Sequence, residues 1–429
     1  MKAPLLLTAY RTCSHCFGGL YHLLYRARVQ MGKEDPKRIL ERAGYSNLER
    51  PDGSLIWLHG ASVGECILAM ALIKEISKAS PDIMFLLTSQ TRTSAQMVEG
   101  QAVGSVIHQY LPMDTPDAMN RFIAHWQPNL LILLESEIWP NLILSVRKRN
   151  IPLVLFNARM NVKSQNNWRK RKQTAKYLFN QFQWILAADQ TTCDLISDLS
   201  DHRVSMIGNL KQIIKPAPPD PNEVKKLQLL CKERPVWLAA STHHGEDEIL
   251  LQAHKQILKI QPEALLILVP RHPQRGSQIA MIATEFAMSN SLRSVSLQTK
   301  NQVWIADTIG EMPLWLSLSS IAFIAGSLHG GKGHNPLEAL AASVPVLSGS
   351  SVSSFSKIYQ DLDARNAVQF CDTPSQIAAA ILAHFDNPSK SRKSLQSAQN
   401  WMTENASEMI ASIVPPLLDL LNEGENARS

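Results

Sequence analysis

One pattern constrains this chain more than any other: from residue 54 onward, short apolar runs alternate with stretches of helical periodicity, and one cluster of prolines interrupts the alternation. The first series of runs covers residues 55–59, 83–88, 106–111, 130–134, 153–156 and 185–188, with helical patterns such as 66–77, 116–125 and 140–149 between them. Strands separated by helices run parallel, because each helix carries the chain back to the start of the next strand. The segment Pro216-Ala-Pro-Pro-Asp-Pro221 then stops regular structure, since each proline fixes φ and removes a backbone donor. A second series follows over 236–240, 265–269, 303–306, 321–325, 345–347 and 367–370. The expected architecture is α/β: a helical segment over 1–50, a first doubly wound domain over 51–212, a linker over 213–234, a second doubly wound domain over 235–400, and C-terminal helices over 401–429, free to pack back on the first domain. A ligand is expected in the cleft between the domains, at the carboxyl ends of the strands, so chemistry is sought just after each strand.

At 429 residues the chain is long enough for two or three domains with their own cores, and 45% hydrophobic against 19% charged residues excludes a disordered chain. The 43 basic and 37 acidic residues leave a net +6, too mild to call for a nucleic-acid partner. Six cysteines (Cys13, Cys16, Cys66, Cys193, Cys231 and Cys371) are too sparse for a disulfide framework, as fits a reducing compartment. Cys13-Ser-His-Cys16 has the spacing of half a zinc site with no second half, so no metal is expected. No segment reaches the ~20 apolar residues of a membrane span. The apolar start over 5–9 is interrupted by Arg11 and His15, unlike a secretory signal.

Two segments nevertheless have the composition of a membrane surface. Residues 17–28 mix Leu and Tyr with Arg, which suits a helix lying in the interface and equally a helix packed on the protein's own surface. Residues 163–176 carry Lys163, Arg169, Lys170, Arg171, Lys172 and Lys176 with Trp168 and no acid. Anionic lipid attracts such a run by about 1 kcal/mol per cation, and a solvated helix face has the same composition.

The strand ends carry the polar motifs. The first run leads into His59-Gly-Ala-Ser-Val-Gly-Glu65, which places Glu65 in the first turn of a helix, as a base for a hydroxyl or as a simple partner of the helix dipole. There the positive helix end is expected to lower its pKa. The fourth run ends in Glu135-Ser-Glu-Ile-Trp-Pro-Asn141, two carboxylates whose pKa values can be held apart, or alternatively caps. Asn157-Ala-Arg159 and Gly208-Asn-Leu-Lys211 bring one Arg and one Lys toward the same end, suited to a phosphate or carboxylate. In the second series, His243, His244, Glu246, Asp247 and Glu248 open a helix; the consecutive acids are read as solvated dipole partners rather than metal ligands. Val269-Pro-Arg-His-Pro273 and Thr308-Ile-Gly-Glu311 also follow strands. Gly326-Ser-Leu-His-Gly-Gly-Lys-Gly-His-Asn-Pro-Leu-Glu338 reads as a flexible glycine loop cradling phosphate, with Glu338 placed for ribose hydroxyls. Walker A, Gly-x-Gly-x-x-Gly and His-Glu-x-x-His signatures are absent from the sequence.

Taken in order, Ser62-Val-Gly-Glu65, Glu135-Ser-Glu-Ile-Trp-Pro-Asn-Leu142, Asn157-Ala-Arg159, Gly208-Asn-Leu-Lys211, Ser241-Thr-His243, Val269-Pro-Arg-His-Pro273, Asp307-Thr-Ile-Gly-Glu311 and Gly333-His-Asn-Pro-Leu-Glu338 resemble the 3-deoxy-D-manno-octulosonic acid (Kdo) transferases of lipopolysaccharide synthesis. The resemblance implies a GT-B glycosyltransferase of two Rossmann-like domains, with CMP-Kdo on the second and a lipid A precursor, of lipid IVA type, on the first. It implies Glu65 as proton acceptor, Glu135 and Lys211 as transition-state stabilisers, and Pro270, Arg271, Ile309, Gly310, Glu311, Asn335, Leu337 and Glu338 as contacts to CMP. Inversion at the anomeric carbon, no metal and no cofactor follow from the same likeness. So does a place at the cytoplasmic face of the inner membrane, peripheral or anchored by the N-terminus. The alternatives are another GT-B enzyme acting on a UDP-sugar, including a 2-epimerase, and a non-catalytic lipid-binding protein.

Overall fold

In the computed structural model, which describes residues 3–16, 18–101, 104–202, 204–208, 210, 218–231, 234–295 and 300–426, each series of apolar runs forms a parallel seven-stranded sheet. The first comprises β1 (Leu55–His59), β2 (Met84–Ser89), β3 (Val106–Tyr110), β4 (Leu130–Leu134), β5 (Leu153–Ala158), β6 (Trp184–Ala187) and β7 (Val204–Met206), in the order β3-β2-β1-β4-β5-β6-β7. The second comprises β8 (Val236–Thr242), β9 (Leu265–Pro270), β10 (Asn290–Leu292), β11 (Val303–Ile305), β12 (Ile321–Ile324), β13 (Val346–Ser348) and β14 (Val368–Phe370), in the order β10-β11-β9-β8-β12-β13-β14. The chain divides into two units, Met1–Ile214 with Ala406–Ser429, and Lys215–Asn405.

The central strands are largely apolar, with polar residues gathered toward their carboxyl ends, because helices cover both faces of each sheet. Alternate residues of β1 feed opposite layers: Leu55 and Trp57 enter one core with Met119, Phe122 and Phe179, while Ile56 and Leu58 enter the other with Leu68, Leu72 and Ile76. In β8, Val236, Leu238 and Ala240 face Trp304 and Trp315, and Trp237 and Ala239 face Leu250 and Ile279. Side chains punctuate the helices. Ser62, Thr115 and Asp189 cap the helices Val63–Ala79, Pro116–Trp126 and Gln190–Asp198, and Thr373 with Gln376 forms a capping box on Pro374–Asp386.

Two strands escaped the sequence pattern. β7 and β10 have three residues each and sit at sheet edges, where a strand needs fewer apolar residues. The segment 213–234, expected as a linker, contains the helix Pro221–Cys231, which packs Leu227 and Cys231 into the second core. Pro221 opens that helix, where a missing N–H leaves no bond unmade; Pro216 lies outside the described residues. The last helix, Arg392–Asn426, contributes Ala398 and Trp401 to the second unit's core and Ile413, Val414, Leu417 and Leu421 to the first unit's.

Candidate active site

The order of the first sheet reverses between β1 and β4, and a ligand crevice opens at such a switch point outside the carboxyl ends. Those two strands deliver Glu65 and Glu135. Ser62 caps the helix after β1, and its hydroxyl donates to Glu65 Oε1 at 2.8 Å while the Ala61 amide donates to Oε2 at 2.7 Å. Glu65 is only 9% exposed. Burial raises its pKa above the ordinary carboxylate range; the two donors pull it back, and the nearby carboxylates of Glu137 and Glu135 raise it further. The expected lowering by the helix end is therefore overturned: desolvation wins.

Glu135 takes φ +54°, a left-handed turn at the end of β4, with its amide bonded to the Phe156 carbonyl at 2.9 Å. Glu137 turns the other way. Its Oε2 accepts from the Trp139 indole at 2.6 Å and lies 3.3 Å from Nε2 of His59, which is fully buried and held at Nδ1 by Thr88. Burial alone would raise the Glu137 pKa, but His59 and Trp139 together hold it below the usual value. The two carboxylates thus have different tasks: Glu137 is tied into the core and Glu135 stands at the strand end. Asn157, also left-handed at φ +54°, accepts from the Leu210 amide at 2.9 Å. Arg159 is exposed, and its carbonyl accepts from the Ser136 hydroxyl. Lys211, expected here, lies outside the described residues.

The helix Pro140–Arg147 behind the Glu135 loop has no acceptor at its own N-cap, Trp139. Asp114 supplies one from a distance, its carboxylate taking the amides of Asn141 and Leu142 at 3.1 and 2.8 Å and the Tyr10 hydroxyl at 2.8 Å. Sequence reasoning missed this residue because its partners lie more than 25 positions away in one direction and 100 in the other. Tyr10 belongs to the helix Leu5–Cys16, whose Leu7 is buried in the first unit's core. The N-terminal segment is thus packed on the unit, with Leu5, Leu6, Leu24 and Met31 left exposed. Cys13 and Cys16 are exposed on the same helix, and no group of three or more His, Cys, Asp or Glu is placed for a metal among the described residues. Nor is any described helix long and apolar enough to cross a membrane.

The second sheet reverses between β8 and β12, and the motif 241–248 and the glycine loop meet there. The reading of Glu246 and Asp247 as solvated is overturned: both are buried. Glu246 Oε2 accepts from the amides of His243 and Gly326 at 2.9 and 2.7 Å, and Oε1 from Ser327 and Leu328 at 3.0 and 3.1 Å. Asp247 accepts from the Thr242 hydroxyl at 2.7 Å and pairs with Arg275. The glycine loop is not a flexible cradle either. A Cβ on Gly331 would lie 2.0 Å from the Gly326 carbonyl oxygen, one on Gly333 2.9 Å from Val352 Cα, and one on Gly326 2.6 Å from His334. These glycines are required by close approach in a loop that Glu246 pins at three consecutive amides.

His243 and His334 meet Nε2 to Nε2 at 2.8 Å, so one ring donates and the other accepts. Burial, His243 and Arg271 hold the His334 pKa below the usual imidazole value. Arg271 is exposed at the end of β9, its amide bonded to the Thr242 carbonyl at 3.0 Å, beside the buried Pro270. Ile309 is 85% exposed, and Gly310 has φ +85°. The Glu311 carboxylate is clamped by Arg293 and Thr308; burial opposes but Arg293 prevails, so its pKa lies below the ordinary value. Leu337 points into the core, and Asn335 Oδ1 accepts its amide at 3.2 Å. Glu338 stands in the first turn of Leu337–Ala341, and burial raises its pKa.

Residues 37–214 match the family described as 3-deoxy-D-manno-octulosonic-acid transferase (kdotransferase). The chain is 35% identical over 393 residues to the 3-deoxy-D-manno-octulosonic acid transferase of Haemophilus influenzae, covering 89% of this chain and 92% of that one. It is 32% identical to a probable mitochondrial 3-deoxy-D-manno-octulosonic acid transferase of Arabidopsis thaliana, over 96% of this chain and 95% of the relative. A glycosyltransferase of Rickettsia africae shares the fold alone, with a TM-score of 0.58 at 11% identity over 86% of this chain and 99% of that one. The two parallel sheets with their helices are the Rossmann-like domains of a GT-B glycosyltransferase, and with these relatives over nearly its whole length the chain belongs to the Kdo transferase family.

Proposed function

We propose that this chain transfers Kdo from CMP-Kdo to a hydroxyl of a lipid A precursor of lipid IVA type, with inversion, and that Glu65 is the proton acceptor. The observation that carries the reading is the Glu65 carboxylate: buried at the carboxyl end of β1, oriented by Ser62 and the Ala61 amide, and raised in pKa by its surroundings. A base works best with a pKa near the working pH, which burial favours. The acceptor hydroxyl attacks the anomeric carbon from the face opposite CMP, the bond to the phosphate oxygen breaks, and the hydroxyl proton passes to Glu65. Positive charge grows on the sugar and negative charge on the departing phosphate; Glu135 suits the first and Lys211 the second. CMP leaves as a monophosphate carrying its own charge, so the step calls for no metal or cofactor. On the second unit Arg271, the main chain at Ile309, Gly310 and Glu311, and the loop with Asn335, Leu337 and Glu338 would hold CMP beside Pro270, with Glu338 on the ribose.

For location we propose a peripheral place on the cytoplasmic face of the inner membrane. Leu5, Leu6, Leu24 and Met31 are exposed in the N-terminal segment, and Lys163, Arg169, Lys170, Arg171 and Lys172 are exposed around the helices Val162–Lys170 and Lys172–Phe179. Trp168 turns inward onto Phe179 and takes no part.

Purified protein given CMP-Kdo and lipid IVA should release CMP and add the mass of Kdo to the lipid; absence of both would end the reading. Tighter competition by UDP than by CMP would favour a UDP-sugar enzyme. Glu65→Gln should keep CMP binding and lose turnover by orders of magnitude.

A further inference from the structure

We propose that the second unit carries a separate site for a phosphate ester at the amino ends of β12, β13 and β14, the opposite end of the sheet from the glycine loop. A cavity of 590 Å³ opens there. Its floor includes Ile321, Val346 and Val368, at the starts of the three strands, and its rim carries Arg365, Lys390 and Lys393. A groove of 830 Å³ shares Arg365 and Lys393 with it and adds Arg392, Trp401 and Glu404. Four cations therefore face one acid. Even β12, four residues long, sets about 10 Å between the two ends at ~3.3 Å per residue, so a ligand here does not share the loop that bears His334 and Asn335.

The cations are placed rather than merely present. Arg365 is half-buried, lies 5.1 Å over the Trp401 ring and donates from Nη1 to the Asp361 carbonyl at 2.7 Å, which holds the guanidinium plane at the cavity wall. Lys390, Arg392 and Lys393 are exposed, and none of the four has a carboxylate partner within 4.0 Å among the described residues. The helix Arg392–Asn426 begins with Arg392 and Lys393 and has no acid in its first turn. Two cations at the positive end of a helix are unfavourable alone, and an anion between them and Arg365 removes the conflict. The apolar floor requires more than a bare ion. The cavity falls in the size range of small-molecule sites, and its chemistry suits a phosphate group carried on an apolar body. That group comes either from a lipid headgroup or from a soluble phosphate ester. The inference does not rest on the transfer reaction.

The test is titration calorimetry of the full chain with monomeric dihexanoyl phosphatidic acid and with inorganic phosphate, alongside flotation on phosphatidylcholine vesicles with and without phosphatidic acid. Binding of the short-chain phosphatidate should weaken at least tenfold in Lys390→Gln/Lys393→Gln, two exposed positions whose change leaves the core intact, and in Arg365→Gln. It should be unchanged in Lys255→Gln/Lys259→Gln, which removes the same charge elsewhere on the unit. Binding of phosphate or phosphatidate in solution with this sensitivity supports a soluble ester. The same sensitivity seen only on phosphatidic acid vesicles supports a headgroup. Equal affinity, within twofold, of the wild type and Lys390→Gln/Lys393→Gln for every probe overturns the proposal.

Discussion

Glu246→Gln is the substitution for which the structure gives the sharpest expectation. The side chain is 2% exposed and its carboxylate receives four backbone N–H groups at 2.7–3.1 Å, three of them from consecutive residues of the loop after β12. Glutamine has the same shape, so no cavity opens and the whole effect is electrostatic. One oxygen survives as a neutral acceptor; the other becomes an amide group that points its own hydrogens at two amides. Bonds to a charged acceptor contribute about 1.5–3 kcal/mol each, so losing two amounts to about 3–6 kcal/mol before relaxation. Against a domain stability of about 5–15 kcal/mol that is a large fraction. Urea denaturation followed by tryptophan fluorescence should show a separate, earlier transition for the second unit. Native hydrogen exchange should show Gly326, Ser327 and Leu328 losing protection more than amides of β8. A loss under about 1 kcal/mol with unchanged exchange at these three amides would refute the view that Glu246 pins the loop.

Other outcomes follow from single side chains. His254 is fully buried, accepts at Nδ1 from the Trp237 indole at 3.1 Å and donates to the Gln302 carbonyl at 2.9 Å, so it is neutral, and burial lowers its pKa to about 4. The unfolded chain takes up this proton near pH 6.5 and the folded chain does not. The second unit's stability should therefore fall by up to about 1.4 kcal/mol per unit as pH drops from 6.5 to 4, and His254→Gln should flatten that slope in denaturation at several pH values. Because the Glu65 pKa is raised, the acid limb of kcat/KM for Kdo transfer should lie above the ordinary carboxylate range and vanish in Glu65→Gln; a profile flat down to pH 4.5 would contradict it. Tyr10→Phe removes the hydroxyl bonded to Asp114 and should lower first-unit stability by about 0.5–1.5 kcal/mol, measured by the urea midpoint. Gly424→Ala should destabilise that unit by about 1–3 kcal/mol, seen as a lower Tm, because the new Cβ would stand 2.4 Å from the backbone oxygen of Asn129.

How much of this was legible in the sequence depended on the range of the interaction. A strand buried on both faces is apolar along nearly its whole length, so β1, β4, β8 and β9 declare themselves in runs of five to seven residues. β7 and β10, at the edges, carry no such demand, and Val204–Met206 and Asn290–Leu292 read as loop. The strand-end motifs could be located because doubly wound sheets put their crevice at the switch point, and Glu65 and Glu135 flank it. What each residue does there was not local. An acid in the first turn of a helix looks the same in sequence whether water or protein faces it; Glu246 faces amides 80 residues on.

The glycine loop shows the same divide in its sharpest form. Gly326, Gly331 and Gly333 announce themselves as glycines, but flexibility and close approach call for the same residue, and only the backbone and side-chain atoms that would meet a Cβ decide between them. The close approach in turn brings His334 against His243, 91 positions away, at a distance that admits one proton between the two Nε2 atoms. The contact depends in turn on the same buried carboxylate that holds the loop, since Glu246 fixes the His243 amide and the start of the loop that carries His334.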